Sequence, residues 1–168
     1  MKIFDRTLFV TLTELLTLIV WLFLLSAGHG AIAAAILVTG LTIEHIIASR
    51  NIPPFLELLG VSASESAIWI IWKVIANSSP ITAFIFLFVT MFIQHNVELN
   101  SFARKPLFSR LLDRRVTLFT ALEAVGGAVW LALTNVGHAA IGGAILGVGL
   151  QLEHQIQARK LAELQDEV

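Results

Sequence analysis

Apolar residues run along the chain in six long blocks, at positions 7–27, 31–49, 61–78, 81–98, 116–135 and 139–157, separated by shorter polar stretches. A helix needs about 20 mostly apolar residues to cross the hydrocarbon core of a bilayer, and each block meets or approaches that length. Three of the breaks are tight: Gly28-His29-Gly30, Asn77-Ser78-Ser79-Pro80 and Asn135-Val136-Gly137. Short runs of glycine, proline, serine and asparagine make turns, so the blocks pair as three helical hairpins. The pattern predicts an all-α integral membrane protein with six transmembrane helices, forming one domain over 1–168.

Composition narrows the class. Of 168 residues, 57% are hydrophobic and 14% charged, and mean hydropathy is +0.83. A soluble domain carries about a quarter charged residues, so a soluble enzyme and a disordered chain are both excluded. The formal net charge of −1 gives no field that would recruit polyanions, and nucleic acid is not an expected partner. There is no cysteine, hence no disulfide, thiolate metal site or iron–sulfur cluster.

The basic residues set an orientation. Ten of the eleven Lys and Arg residues, namely Lys2, Arg6, Arg50, Arg104, Lys105, Arg110, Arg114, Arg115, Arg159 and Lys160, lie before the first block, in the two longer connections or after the last block. Only Lys73 lies toward a tight turn. The positive-inside rule then predicts a multi-pass protein of the cell membrane with both termini cytoplasmic (N-in/C-in) and the three tight turns outside. Lys2, Arg6, an apolar run and Ser26-Ala27-Gly28 together imitate a signal peptide. The run is longer than the about 7–15 residues of a cleaved segment, and the same segment recurs mid-chain.

That recurrence is extensive. Shifted by 109 positions, 14–50 aligns with 123–159 with 18 of 37 residues identical. The identities include Glu14/Glu123, Trp21/Trp130, Gly28/Gly137, His29/His138, Glu44/Glu153, His45/His154 and Arg50/Arg159. A fainter copy lies between them: Glu14 and Trp21 answer Glu65 and Trp72, and Glu44 and His45 answer Gln94 and His95. The expected architecture is three parallel two-helix repeats, at 3–50, 54–99 (diverged) and 112–159. Parallel repeats surround an axis along the membrane normal, here as a pseudo-threefold bundle.

The repeats carry a polar layer. Glu14 lies 14 residues before Gly28 and Glu44 lies 16 after it. At 1.5 Å per residue both sit about 21–24 Å from the outer turn, level with each other in the cytoplasmic third. The same count brings Glu65, Gln94, His95, Glu123, Glu153 and His154 to that depth. Thr7, Thr11, Glu14, Leu18 and Trp21 share one helix face by their 4-3-4-3 spacing, as do Glu123, Gly127 and Trp130. Lipid would penalise these polar groups, so the faces are expected to point inward. Glu44 and His45 lie about 100° apart on their helix, so they cannot both aim at one central atom.

Five carboxylates in a low-dielectric layer without Lys or Arg need compensation by protons, neutral histidine or metal. Imidazole with carboxylate is a common ligand set for transition metals. The favoured reading is a membrane-embedded metal site, iron or zinc, for redox or hydrolytic chemistry. Its expected ligands are Glu14, Glu44, His45, Glu65, His95, Glu123, Glu153 and His154. Carboxylate-bridged di-metal bundles use similar ligand kinds, but with Glu-x-x-His spacing rather than the adjacent pairs found here. Three alternatives use the same residues or none: a proton- or cation-coupled transporter, a b-type haem protein, and a non-catalytic subunit of a membrane complex. Whether the chain is an enzyme stays open. The bilayer is the expected partner, with a homo-oligomer or larger complex compatible with so little extramembrane chain.

Remaining features have plainer readings. His29 and His138 are expected as turn residues, and Trp21, Trp72 and Trp130 as aromatic-belt anchors, with a lid over the polar layer as the sharper alternative. Glu57 is expected solvated in an interfacial segment. The Arg104–Arg115 stretch is read as a topology and headgroup determinant. Gly126, Gly127, Gly143 and Gly147 are read as small-residue packing sites that could also admit a flat cofactor.

Overall fold

The structure, a computed structural model, describes residues 3–49, 53–103 and 114–166. Among these residues are six α-helices: α1 (Ile3–Ser26), α2 (Gly30–Ala48), α3 (Phe55–Ala76), α4 (Pro80–Phe102), α5 (Arg114–Asn135) and α6 (Ala139–Asp166). Each packs against its neighbours in the chain, and α6 also packs against α1, so the helices close into a ring. Lys2, Arg50, Arg104, Lys105 and Arg110, and with them most of the Arg104–Arg115 connection, lie outside the described residues.

Five helices, α1 to α5, are long and apolar enough to span a membrane. The sequence pattern predicts six. The sixth falls short in composition, because 139–157 holds four glycines together with Gln151, Glu153, His154, Gln155 and Gln157. The apolar side chains face both ways, as in helices surrounded by lipid. Phe9, Leu16, Phe23, Leu56, Val74, Ile81 and Val148 are among the large exposed ones, while Leu18, Leu37, Leu41, Leu87, Leu146 and Leu150 are completely buried.

The tight turns are built by two different devices. Gly28 and Gly137 adopt φ of +83° and +85°, a left-handed conformation that costs glycine little. At the first, the Gly28 amide donates to Leu25 O and the His29 amide to Leu24 O; at the last, the Gly137 amide donates to Thr134 O and that of His138 to Leu133 O. These bonds satisfy carbonyls that the helix end leaves open. At the middle turn, Ser79 instead caps α4 by accepting from the Thr82 amide, with Pro80 at the first helical position. His29 and His138 are exposed in their turns, as expected of turn residues.

Close helix approach depends on particular glycines. A methyl group on Gly142 would lie 3.0 Å from Trp130 backbone atoms, and one on Gly149 would lie 3.1 Å from Leu122 O. Gly40 is tighter, because a methyl there would run into the Thr17 side chain. Gly126, Gly127 and Gly147 also face side chains at 3.0–3.3 Å, which fits the packing role expected of them. Gly143 has only Trp130 Nε1 near it, at 3.9 Å.

Helices α3, α4 and α6 run beyond their apolar blocks on the side away from the tight turns. Pro54 is the N-cap of α3, so Glu57 lies exposed in a helical first turn and accepts a hydrogen bond from Ser101 Oγ. Helix α4 continues past Glu98 to Phe102, and α6 runs nine residues past 157. These extensions bring Leu58, Leu99, Phe102, Val116, Phe119, Leu161 and Leu164 into a second apolar cluster, separate from the larger core.

Candidate metal centre

The polar layer lies between these two apolar clusters. Glu14, Glu44, His45, Glu65, His95, Glu123, Glu153 and His154 are all at most 6% exposed. The structure therefore brings together every residue singled out as a candidate ligand. It also separates their roles, which spacing alone does not.

Each histidine leaves the second helix of one hairpin and reaches the first helix of the next. His45 on α2 meets Ser62 Oγ through Nδ1 at 2.9 Å and Glu65 Oε2 through Nε2 at 3.1 Å. His95 on α4 meets Thr120 Oγ1 at 2.9 Å and Glu123 Oε2 at 3.2 Å in the same way. His154 on α6 meets Thr11 Oγ1 at 2.8 Å and Glu14 Oε2 at 3.2 Å, which closes the ring. In each case the hydroxyl lies three residues before the glutamate, one helical turn away on the same face. The hydroxyl fixes the ring through Nδ1, and Nε2 is thereby aimed at carboxylates.

The second carboxylate comes from a different helix. Glu153 Oε1 of α6 lies 3.2 Å from His95 Nε2, and Glu44 Oε1 of α2 lies 3.8 Å from His154 Nε2. Gln94 stands at the corresponding place on α4 and does not join in. Its amide nitrogen donates to Val61 O at 2.9 Å, and its carbonyl accepts from Ser64 Oγ at 2.9 Å. His45 has Glu44 at 3.4 Å and Glu98 at 3.8 Å instead.

Two groups in this layer have the separations of a metal site. One is His95, Glu123 and Glu153; the other is Glu14, Glu65 and Glu123; within each, the donor atoms lie within 4.8 Å of one another. Glu123 belongs to both. Its Oε2 receives no hydrogen bond although it is buried and 3.2 Å from His95 Nε2, and Oε2 of Glu153 receives none either. Buried carboxylate oxygens without a donor are costly. Every ion pair that Glu14, Glu44, Glu65, Glu123 and Glu153 make among the described residues is to histidine.

The surroundings exclude water on one side and admit it on the other. Toward the tight turns, Trp21, Trp69, Trp72, Leu41, Met91 and Leu150 are at most 1% exposed and belong to one packed cluster. Trp21, Trp72 and Trp130 are buried there, which corrects the aromatic-belt expectation. Each lies seven residues after its glutamate, two helical turns along the same inward face. Toward the chain ends a small cleft of about 20 Å³, room for about one water, is lined by Arg6, Thr7, Glu98, Phe102, His154 and Gln157 among others and reaches the layer at His154.

Glu98 is the residue that sequence reading missed. It is buried, accepts from Gln157 Nε2 at 2.8 Å and approaches His45. Its position one turn after His95 was the available signal. The hydroxyls of Ser62 and Thr120 were legible in principle as the residues three before each glutamate. Phe102 and Phe119 pack edge-on against His45 and His95, at centroid distances of 5.8 and 4.9 Å. No family model, curated protein or solved structure matches this chain. The protein is thus a membrane-type helical bundle whose buried Glu and His groups could hold a metal.

Proposed function

We propose that the layer is a transition-metal centre, with iron or zinc as the ion, held in the cytoplasmic third of the cell membrane for redox or hydrolytic chemistry. The observation that carries this reading is the buried, undonated Oε2 of Glu123, 3.2 Å from His95 Nε2, together with the undonated Oε2 of Glu153, whose Oε1 stands 3.2 Å from the same nitrogen. A cation supplies what hydrogen bonds do not. The hydroxyl on each Nδ1 supports it too, since a ligating histidine is normally held through its other nitrogen. All-oxygen and imidazole donors suit iron, manganese or zinc better than soft ions. When bound, such an ion would supply Lewis acidity or electron transfer.

The same reading takes the chain as three copies of one hairpin around an axis along the membrane normal, with α6 as the sixth span and the chain ends cytoplasmic. Support comes from the 14–50/123–159 identity, from the histidine contact that recurs at each junction between hairpins, and from the placement of Lys and Arg. A transporter fits less well, because the described core between layer and tight turns is apolar and packed. A haem fits less well because all three Nε2 atoms face carboxylates rather than a shared slot.

The test is elemental analysis with an absorption spectrum on detergent-purified protein, before and after loading with Fe(II) or Zn(II). Stoichiometric retention in the parent and its loss in His95→Ala support the metal centre. A parent protein that retains no ion after loading refutes it.

A further inference from the structure

We propose that the layer holds a second metal ion, at His154, Glu14 and Glu44, beside the one at His95, Glu123 and Glu153, with Glu65 between the two. This rests on the metal-centre reading and adds to it the number of ions and the division of ligands.

The two corners share one plan, the His95 corner being the tighter of the two. His154 and His95 each have Nδ1 fixed by a threonine, at 2.8 and 2.9 Å, and a glutamate of the following hairpin 3.2 Å from Nε2. The second carboxylate is Glu44 at 3.8 Å in one and Glu153 at 3.2 Å in the other. Neighbouring donors on one ion with bonds of about 2.0–2.2 Å lie about 3.0–3.5 Å apart. The His95 corner has that spacing from Nε2 to both carboxylates, with all three donors within 4.8 Å of one another; at the His154 corner Glu14 has it, and Glu44 must close in before the three donors can share an ion.

The third corner is incomplete, and the reason is visible. Gln94 replaces the second carboxylate and is committed to Val61 and Ser64 of α3. His45 Nε2 has Glu65 at 3.1 Å, Glu44 at 3.4 Å and Glu98 at 3.8 Å, and one oxygen of Glu65 lies within 4.8 Å of one on Glu14 and one on Glu123, a ligand from each of the other corners. Glu65 is therefore placed to bridge, at the roughly 3.5–4 Å ion separation of two-metal sites, and His45 acts as its holder rather than as a ligand. Charge agrees with the count. With Glu98 the layer holds six carboxylates, of which one divalent ion offsets two and two ions offset four. The small cleft at the chain ends touches His154 and marks the side from which a second ion would enter.

The experiment measures ions per chain and their coupling. Detergent-purified protein is loaded with Mn(II), desalted and assayed by elemental analysis and electron paramagnetic resonance. Two ions per chain with a spin-coupled signal are expected, falling to one ion and an uncoupled six-line signal in His154→Ala and in His95→Ala. The parent measurement stands even if a variant fails to fold. One or three ions per parent chain, or two uncoupled ions, overturns the second site and leaves the metal centre standing. Retention of no ion by the parent overturns both.

Discussion

Glu44 and His45 are adjacent in the chain, and Glu44 stands between two imidazoles: its Oε2 lies 3.4 Å from His45 Nε2 and its Oε1 3.8 Å from His154 Nε2 on α6, while His45 Nε2 also lies 3.1 Å from Glu65 on α3. Neighbours about 100° apart on a helix in a closed ring face opposite adjacent helices. The consequence is that every Glu-His pair links two hairpin junctions, so the layer ties the ring together as well as gathering donors.

The hydroxyls that fix the imidazoles are predicted to set affinity without setting the fold. Thr120→Val keeps the shape of the side chain and removes the partner of His95 Nδ1, now at 2.9 Å. Loss of such a support typically weakens metal binding about 10- to 100-fold. Competition against a chelator of known affinity should show that drop, with helicity and monodispersity unchanged. An unaltered affinity would mean that the hydroxyl does not orient the ring.

Glu123→Gln is predicted to change the sign of its stability effect with metal. Without metal, the variant removes a buried acid that lacks a hydrogen-bond donor on Oε2, and Tm should rise or hold. After loading, the parent gains stability from the ion by mass action and the variant gains less, so the order of Tm reverses. If loading raises both equally, Glu123 is not a ligand.

The hairpins and the common level of the layer residues were legible because both follow from counting residues out from the tight turns. Which glutamate each histidine meets was not, because it depends on how successive hairpins pack and, for His154 and Glu14, on α6 closing against α1, which no local pattern encodes. Glu98 was hidden for a related reason. It lies where the apolar block ends, and only the continuation of α4 to Phe102 and of α6 past 157 buries it against Gln157. The tryptophans were misassigned by depth alone; their two-turn spacing from Glu14, Glu65 and Glu123 held the better answer.

Burial of the tryptophans makes a direct prediction. Trp72 is 1% exposed and packs edge-on against Trp69 at 5.2 Å, so Trp72→Ala should destabilise by about 3–5 kcal/mol. Phe23, 72% exposed on the outer surface of α1, should change stability by less than about 0.5 kcal/mol when replaced by Leu. Thermal denaturation in one detergent compares them. Equal, small effects would return the tryptophans to the membrane interface.

Helix α1 meets α2 through Gly40, where a methyl group would run into the Thr17 side chain. Gly40→Ala should therefore lower Tm markedly. Thr17→Ala removes the nearest atoms and leaves Cβ, which would stand 2.8 Å from the new methyl. The double variant should recover part of the loss, and two effects that simply add would show that the contact is not the cause.

Orientation can be read directly, because the chain has no cysteine of its own. Ser78 is exposed at the turn between α3 and α4, and Phe55 is 67% exposed at the other end of α3. If the three tight turns face outward, a membrane-impermeant maleimide added to intact cells should label Ser78→Cys and should label Phe55→Cys only after lysis. The reverse pattern would place the chain ends outside and overturn the reading of the basic residues. Labelling of both from outside would mean that α3, despite its apolar length, does not cross the bilayer. Protection of both until lysis would place the protein in an internal membrane rather than the cell membrane. Since α3 belongs to the most diverged hairpin, the expected pattern there would also extend the common direction of insertion to the copy in which sequence identity supports it least.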